Sequence, residues 1–312
     1  VDMMGNTIHN WDMLERGYTM HHAISQDKQG NILATVSKTS AKIANGKDVR
    51  INDFIIMMDP EKGEILQEWD LVHMLDSARY GMTDYDLTSD PFAQSASNWA
   101  HNNGIVEWGD DYLATARYQG IFKFNKAGGI EWIISPHGYW RDKYLKLLLN
   151  PLHADGTPIT DPEVIAGTKT CDDFEWPWGC HTAVPLPNGH ILYFNNGYGR
   201  NFKLDFTDRK NIYTCGIEYE VDEVNRTVRQ VWQYGKERGA AYFTPARSGV
   251  QYLEQTGNRL ICPGMSNVLS NGNRGARVTE VDPETQDVVF ELELEDAIYQ
   301  RVYRMSLYPE NQ

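Results

Sequence analysis

His22, His101 and His181 each stand eight residues ahead of a glycine, at Gly30, Gly109 and Gly189, with 79 and 80 residues between successive members. One histidine on a strand is usually structural; three at the same distance from a recurring turn point to one shared cavity. Imidazole can ligate a metal, attack an electrophile when neutral, or pass protons near neutral pH. The neighbours choose among these roles. Asn103 and Arg117 fall in the strand pair that carries His101, and a guanidinium beside a metal is electrostatically unfavourable. Arg, Asn and imidazole N–H groups together make a cradle for an anion. A small tetrahedral anion fits best. A neutral imidazole attacks its phosphorus or sulfur while the donors hold the charge that builds on the equatorial oxygens, and neither a metal nor another cofactor is expected. In a fourth unit Gly249 precedes Gly257 by the same eight residues, and Ser248 beside it joins the candidate binding residues.

The elements that must position these residues are legible as a repeat. Gly30-Asn31-Ile32-Leu33, Gly109 through Leu113, Gly189-His190-Ile191-Leu192 and Gly257-Asn258-Arg259-Leu260 each read as a tight turn entering an apolar strand. A second hairpin follows in each unit: Asp59-Pro60-Glu61-Lys62-Gly63 to Trp69, Asn125-Lys126-Ala127-Gly128 to Trp132, Asp222 through Asn225 to Trp232, and Asp282-Pro283 to Leu292. About four antiparallel strands per unit, in about four units, is the arithmetic of an all-β propeller whose innermost strands line one axis. Residues 71–97 and 136–178 are long insertions, the second with an expected helix from Tyr139 to Leu149. Gly5 through Trp11 reads as an outgoing strand, and Arg301 to Leu307 as a closing one. The expectation is one propeller domain over 1–312 that lacks earlier blades.

Composition agrees and excludes other classes. The chain has 312 residues, 29 basic against 43 acidic side chains, a net charge of -14 and 41% hydrophobic residues. Such an acidic chain has no broad positive field for nucleic acid or an anionic membrane. No apolar run reaches the roughly 18 residues of a membrane span, so no membrane insertion is expected.

At the histidines the sequence resembles the PAPS-independent bacterial aryl-sulfate sulfotransferases. The resemblance rests on His21-His22-Ala23, on Asn98-Trp99-Ala100-His101-Asn102-Asn103 with Ala116-Arg117-Tyr118-Gln119-Gly120, and on Gly179-Cys180-His181-Thr182-Ala183 before Leu186-Pro187-Asn188-Gly189. Phe194-Asn195-Asn196-Gly197 with Arg200 also resembles the family's strand after its catalytic histidine. The resemblance implies a six-bladed propeller and ping-pong transfer of a sulfuryl group from a phenolic ester to a phenol. It places the sulfated histidine at His181, the sulfuryl-binding groups at His101, Asn103 and Arg117, and a further active-site histidine at His22. His22 or His101 is the expected acid and base. His21, one residue out of register, should face the other side of its strand. The partners implied are a phenolic sulfate donor and a phenol acceptor, with room for a homodimer, in the periplasm or cell envelope. Cys171 and Cys180 could replace the short disulfide loop that some members carry ahead of the catalytic histidine; free thiols are the other reading. Trp99, Trp176, Trp178 and Tyr198 could hold aryl rings or pack the propeller. Two other functions stay open: hydrolysis of a sulfate or phosphate ester, and a non-catalytic propeller that binds a partner through its loops.

Overall fold

The computed structural model describes residues 2, 4–44, 49–79, 100–203, 211–266 and 275–295. The expected closing strand at Arg301 to Leu307 lies outside them.

Among the described residues four antiparallel sheets follow one another. The first joins β1 (Thr19–Gln26), β2 (Ile32–Ala44), β3 (Val49–Met58) and β4 (Ile65–Asp70), and the short α1 (Leu71–Met74) follows it. The second joins β5 (Asn102–Trp108), β6 (Asp111–Ala116), β7 (Gly120–Phe124) and β8 (Ile130–Ile134). An insertion with α2 (Asp142–Leu145), β9 (Asn150–Leu152) and α3 (Pro162–Ala166) leads to the third. There β10 (His181–Pro185), β11 (Ile191–Asn195), β12 (Cys215–Asp222) and β13 (Thr227–Tyr234) pair in order, and β9 adds in parallel beside β13. The fourth joins β14 (Ser248–Tyr252), β15 (Arg259–Pro263), β16 (Ala276–Val281) and β17 (Val288–Leu294). In each sheet the four antiparallel strands run in simple up-and-down order, and the turns expected at Gly30, Gly109, Gly189 and Gly257 and at Asp59, Asn125, Asp222 and Asp282 join neighbouring strands. The first strands pack in sequence, β1 on β5, β5 on β10 and β10 on β14. The architecture is nearly all β and propeller-like, with those four strands innermost.

Apolar side chains fill the spaces between neighbouring sheets. Leu33, Ile55, Trp69, Phe122, Phe124 and Ile133 form the layer between the first two, and Trp132, Trp176, Tyr193, Ile217 and Tyr219 the layer reaching the third. A polar contact repeats on the outer side. Trp69 Nε1 donates to Lys126 O at 3.0 Å and Trp132 Nε1 to Glu223 Oε1 at 2.8 Å. Trp232 Nε1 lies 2.7 Å from the Gln286 amide. Each outgoing tryptophan thus buries its ring and spends its N–H on the outer turn of the next sheet. Trp11 makes the same contact with Pro60 O at 3.0 Å, although residues 5–11 form no strand and the strand expected there is absent.

The expected helix over 139–149 shrinks to the four residues of α2. Its C-terminal part is drawn into strand pairing: Ile133 N donates to Leu147 O at 2.8 Å, and Leu149 N to Ile133 O at 3.0 Å. Cys171 and Cys180 are not bridged, and all four cysteines are free. Cys171 Sγ lies 3.1 Å from Asp173 Oδ1, while Cys180 is buried in the core behind His181. Among the described residues no helix is long and apolar enough to cross a membrane.

Arg200 lies in the fold, not among the histidines. Its Nε donates to Glu175 Oε1 at 2.7 Å, both side chains are buried, and its guanidinium stacks 3.7 Å from the Tyr213 ring centroid. Arg200→Met leaves the Glu175 carboxylate buried without its cation, and a loss of about 3–5 kcal/mol is expected. Urea unfolding of the variant against the parent protein measures it.

Candidate active site

The inner strands are kinked where the site forms. His22 (φ 56°), His101 (φ 55°), Thr182 (φ 43°) and Arg247 (φ 61°) adopt the left-handed conformation. The ladders of β1, β5 and β10 shift register beside the first three. Such backbone is disfavoured for residues with a Cβ, and bulges of this kind re-aim side chains near functional sites. The histidines do converge: the His22 ring centroid is 4.7 Å from that of His101 and 6.3 Å from that of His181. They do not stand at equivalent ladder positions. The turn of the second sheet, with Trp108 opposite Asp111, spans two residues, whereas Gln26 opposite Ile32 leaves a longer turn in the first. The equal distances to the glycines therefore hide a shift in the ladders, and the kinks restore the convergence.

His181, first residue of β10, is buried and held at one nitrogen. Its Nδ1 lies 2.6 Å from Asn196 Oδ1 and 3.2 Å from Gly179 O. Asn196 is oriented by its other end, since Nδ2 donates to Thr244 O at 2.9 Å. That leaves Oδ1, an acceptor, facing the ring. Two acceptors at Nδ1 require a proton there, so Nε2 carries the lone pair. Ser248 reaches the site through the same amide, with Oγ 3.2 Å from Asn196 Nδ2 and 3.3 Å from Oδ1. Gly197 follows Asn196 at φ 68°, and a Cβ there would lie 2.1 Å from Tyr213 O. Only glycine lets the chain turn away while the amide stays in place.

Asn103 and Arg117 flank the rings. Asn103 Oδ1 accepts from Thr115 Oγ1 at 2.7 Å, and its Nδ2 donates one hydrogen to Cys180 O at 2.8 Å, tying β5 to the chain just before His181. Arg117 is 1% exposed; its backbone N donates to His101 O at 3.0 Å and its Nη2 to Pro245 O at 2.8 Å. The guanidinium carbon sits 4.4 Å from the Tyr198 ring centroid. Tyr198 thus braces the arginine, while Trp176 and Trp178 are buried in the core, Trp176 Nε1 donating to Val164 O at 2.8 Å. Trp99 lies outside the described residues.

Burial and charge keep the imidazoles neutral. Burial, then Arg117 and His22, push His181 from its ordinary 6.5 down to about 3, against the opposing hydrogen bonds to Asn196 and Gly179. His101 falls well below its usual range through burial and then through His22, Arg117 and His181. His22 is lowered by its crowded surroundings, then by His21, Arg117 and Arg247, though its ring stays open to water on one side. Burial pushes the Cys180 thiol up to about 12, so the neighbouring sulfur stays protonated and unreactive. The arrangement is a lone pair on His181 Nε2 beside a fixed cation and further N–H donors.

Three participants were missed in the sequence. Asn196 stands in the quoted Phe194-Asn195-Asn196-Gly197 segment, but its role depends on Thr244, 48 residues away. Strand alternation predicts His21 on the opposite face; the left-handed His22 breaks that alternation, and His21 Nδ1 lies 2.9 Å from His22 Nδ1. Asp53 carried no motif, yet it is buried with Oδ1 3.5 Å from His21 Nε2.

The family model described as arylsulfotransferase (ASST) matches residues 1–304. The chain is 29% identical to the arylsulfate sulfotransferase AssT of Escherichia coli O6:H1, over 98% of this chain and 56% of that protein. Against the arylsulfate sulfotransferase AssT of Lelliottia amnigena the identity is 30% with the same coverage. The chain spans about half the length of these curated relatives. A solved europium-containing methanol dehydrogenase aligns with 90% of this chain and 47% of its own at 12% identity and a TM-score of 0.43. The family match takes in all four sheets and each side chain placed around His181, and on that extent the chain belongs to the arylsulfotransferase family.

Proposed function

We propose that the protein moves a sulfuryl group between phenols in two half-reactions through a sulfohistidine on His181. The observation that carries this reading is the Asn196 amide oxygen at His181 Nδ1, which leaves Nε2 as a fixed nucleophile. Nε2 attacks the sulfur of an aryl sulfate in line, the S–N bond forms, the S–O bond to the aryl oxygen breaks, and the phenolic oxygen departs with a proton. A second phenol gives up its proton and attacks the same sulfur, the S–N bond breaks, and His181 is restored. Arg117, His101 and the second Nδ2 hydrogen of Asn103 hold the sulfuryl oxygens, where donors already in place stabilise developing charge without reorganising. The donor is the aryl ester itself, so no carrier nucleotide is involved.

The experiment is a single-turnover one on the full-length protein. Mixing with p-nitrophenyl sulfate and no acceptor is expected to release one equivalent of nitrophenol and add the mass of one SO3 group to the peptide bearing His181. Added phenol then discharges it. Continuous sulfate release without acceptor would instead identify a hydrolase.

Asn196→Leu tests the tautomer argument. Gly179 O still accepts from Nδ1, so the ring is loosened but keeps one acceptor, and sulfation of His181 is expected to slow by about 10–100-fold. An unchanged rate of nitrophenol release in the first turnover would remove Asn196 from the site.

A further inference from the structure

Each phenolic oxygen must gain a proton as it leaves and lose one as it attacks, and the structure offers one connected route for that proton. His22 is the most open of the three imidazoles and faces both others, its centroid 4.7 Å from His101 and 6.3 Å from His181. Its Nδ1 meets His21 Nδ1 at 2.9 Å. Two imidazole nitrogens at that distance share a hydrogen, one donating and the other accepting. On the far side of His21, Nε2 faces Asp53 Oδ1 at 3.5 Å. Asp53 lies on β3, opposite Ser37 in the ladder, and is 1% exposed. Its second oxygen accepts from the backbone N of Asn102 at 3.2 Å, which fixes the carboxyl against the strand that follows His101. At 3.5 Å the pair is in ion-pair range and longer than a closed hydrogen bond, so a small movement of either side chain closes it.

We propose that Asp53, His21 and His22 form a proton relay, with His22 the acid and base for the phenolic oxygen and Asp53 the store of the proton between half-reactions. The proposal rests on the sulfohistidine reading of His181. In the donor half-reaction His22 Nε2–H gives its proton to the departing oxygen, His21 Nδ1–H passes its own to His22 Nδ1, and the Asp53 carboxyl hydrogen moves to His21 Nε2. The site then holds a free phenol, an Asp53 carboxylate, and a sulfated imidazolium whose ring charge offsets its SO3 group. His22 Nε2 now has a lone pair and takes the proton of the incoming phenol, and the three transfers reverse. Net charge is conserved throughout, and no proton is exchanged with solvent. Burial raises the Asp53 carboxyl above the usual carboxylate range, against the opposing pull of His21 and the Asn102 and His101 backbone. A protonated resting carboxyl is what the relay requires. Among the described residues, Arg117, Arg247, His101 and His181 are the other charged or titratable groups around His22, and none of them is a carboxylic acid. His22 is the catalytic residue; His21 and Asp53 act through it.

The test uses the full-length protein and aryl sulfates whose phenols differ in acidity. p-Nitrophenolate is a weak base and leaves unaided, whereas phenolate needs the proton. In Asp53→Asn, sulfation of the enzyme by p-nitrophenyl sulfate is expected to stay within about threefold of the parent protein, and sulfation by phenyl sulfate to slow by about 10²-fold. His21→Gln, at a less buried position, is expected to show the same split and serves if Asp53→Asn folds poorly. An equal loss for both esters, or no loss for either, overturns the relay. If the parent protein takes no sulfuryl group from either ester, the sulfohistidine reading itself fails, and that is seen before any variant is compared.

Discussion

Replacing His181 with asparagine is expected to lower sulfuryl transfer by about 10⁴-fold or more, with no sulfated enzyme accumulating. The size of the effect follows from the chemistry His181 supplies. Every bond change to sulfur in the proposed mechanism involves its Nε2, and among the described residues no other group in the site is held to take that place. Cys180 is adjacent in sequence, but its thiol is pushed up to about 12 by burial and its carbonyl is committed to Asn103. His101 and His22 come from other sheets, and neither meets the Asn196 and Gly179 acceptors that present a lone pair at a fixed angle. Asparagine keeps a polar side chain that can meet Asn196 and so limits damage to the fold. Its amide nitrogen has no lone pair to offer. First-turnover nitrophenol release and the mass of the enzyme after mixing with p-nitrophenyl sulfate read the result together. A variant retaining a tenth of the parent rate would move the nucleophile to another residue.

The fold was legible where its determinants are local. The turns at Gly30, Gly109, Gly189 and Gly257, and the outer turns at Asp59, Asn125, Asp222 and Asp282, all join the strands expected of them, because turn geometry is set by residues that touch the turn. The α2 segment shows the opposite case. Its run of Leu and Lys favours a helix, but the edge of β8 offers Leu147 and Leu149 better-satisfied backbone partners, and tertiary pairing prevails over propensity. The site divides in the same way. Histidine spacing pointed to one cavity and the rings do meet, yet spacing could not reveal that the ladders differ and that left-handed residues correct the difference. Asn196 and Asp53 were hidden for one shared reason: each acts by presenting a single oxygen to an imidazole from a distant part of the chain.

Arg117→Met is expected to lower kcat/KM for aryl sulfates by about 10²–10³-fold, in the range found when one preorganised transition-state donor is removed. Methionine keeps most of the aliphatic stem against Tyr198 and loses the charge. A second consequence separates Arg117 from an ordinary binding residue. Its positive charge helps to hold His181, His101 and His22 in their neutral forms. For His181 burial is the largest cause and the arginine the next, ahead of His22, and the ring falls from 6.5 to about 3. A group whose protonated form is disfavoured keeps its lone pair as pH falls, so sulfation by the parent protein should not be limited by protonation of His181 until the solution is strongly acid. Without Arg117 the ring becomes easier to protonate, and the acid limb of the sulfation rate moves to higher pH. It does not return to the ordinary imidazole value, because burial remains. The pH dependence of the first-turnover rate, in parent and variant, measures both effects. A lower rate with an unmoved acid limb would confine Arg117 to gripping the sulfuryl oxygens. A moved limb with a nearly normal rate above it would assign it to keeping His181 neutral. Both are expected of the proposed mechanism, since one guanidinium, fixed by Pro245 O and Tyr198, would both grip the anion and keep uncharged the ring that attacks it.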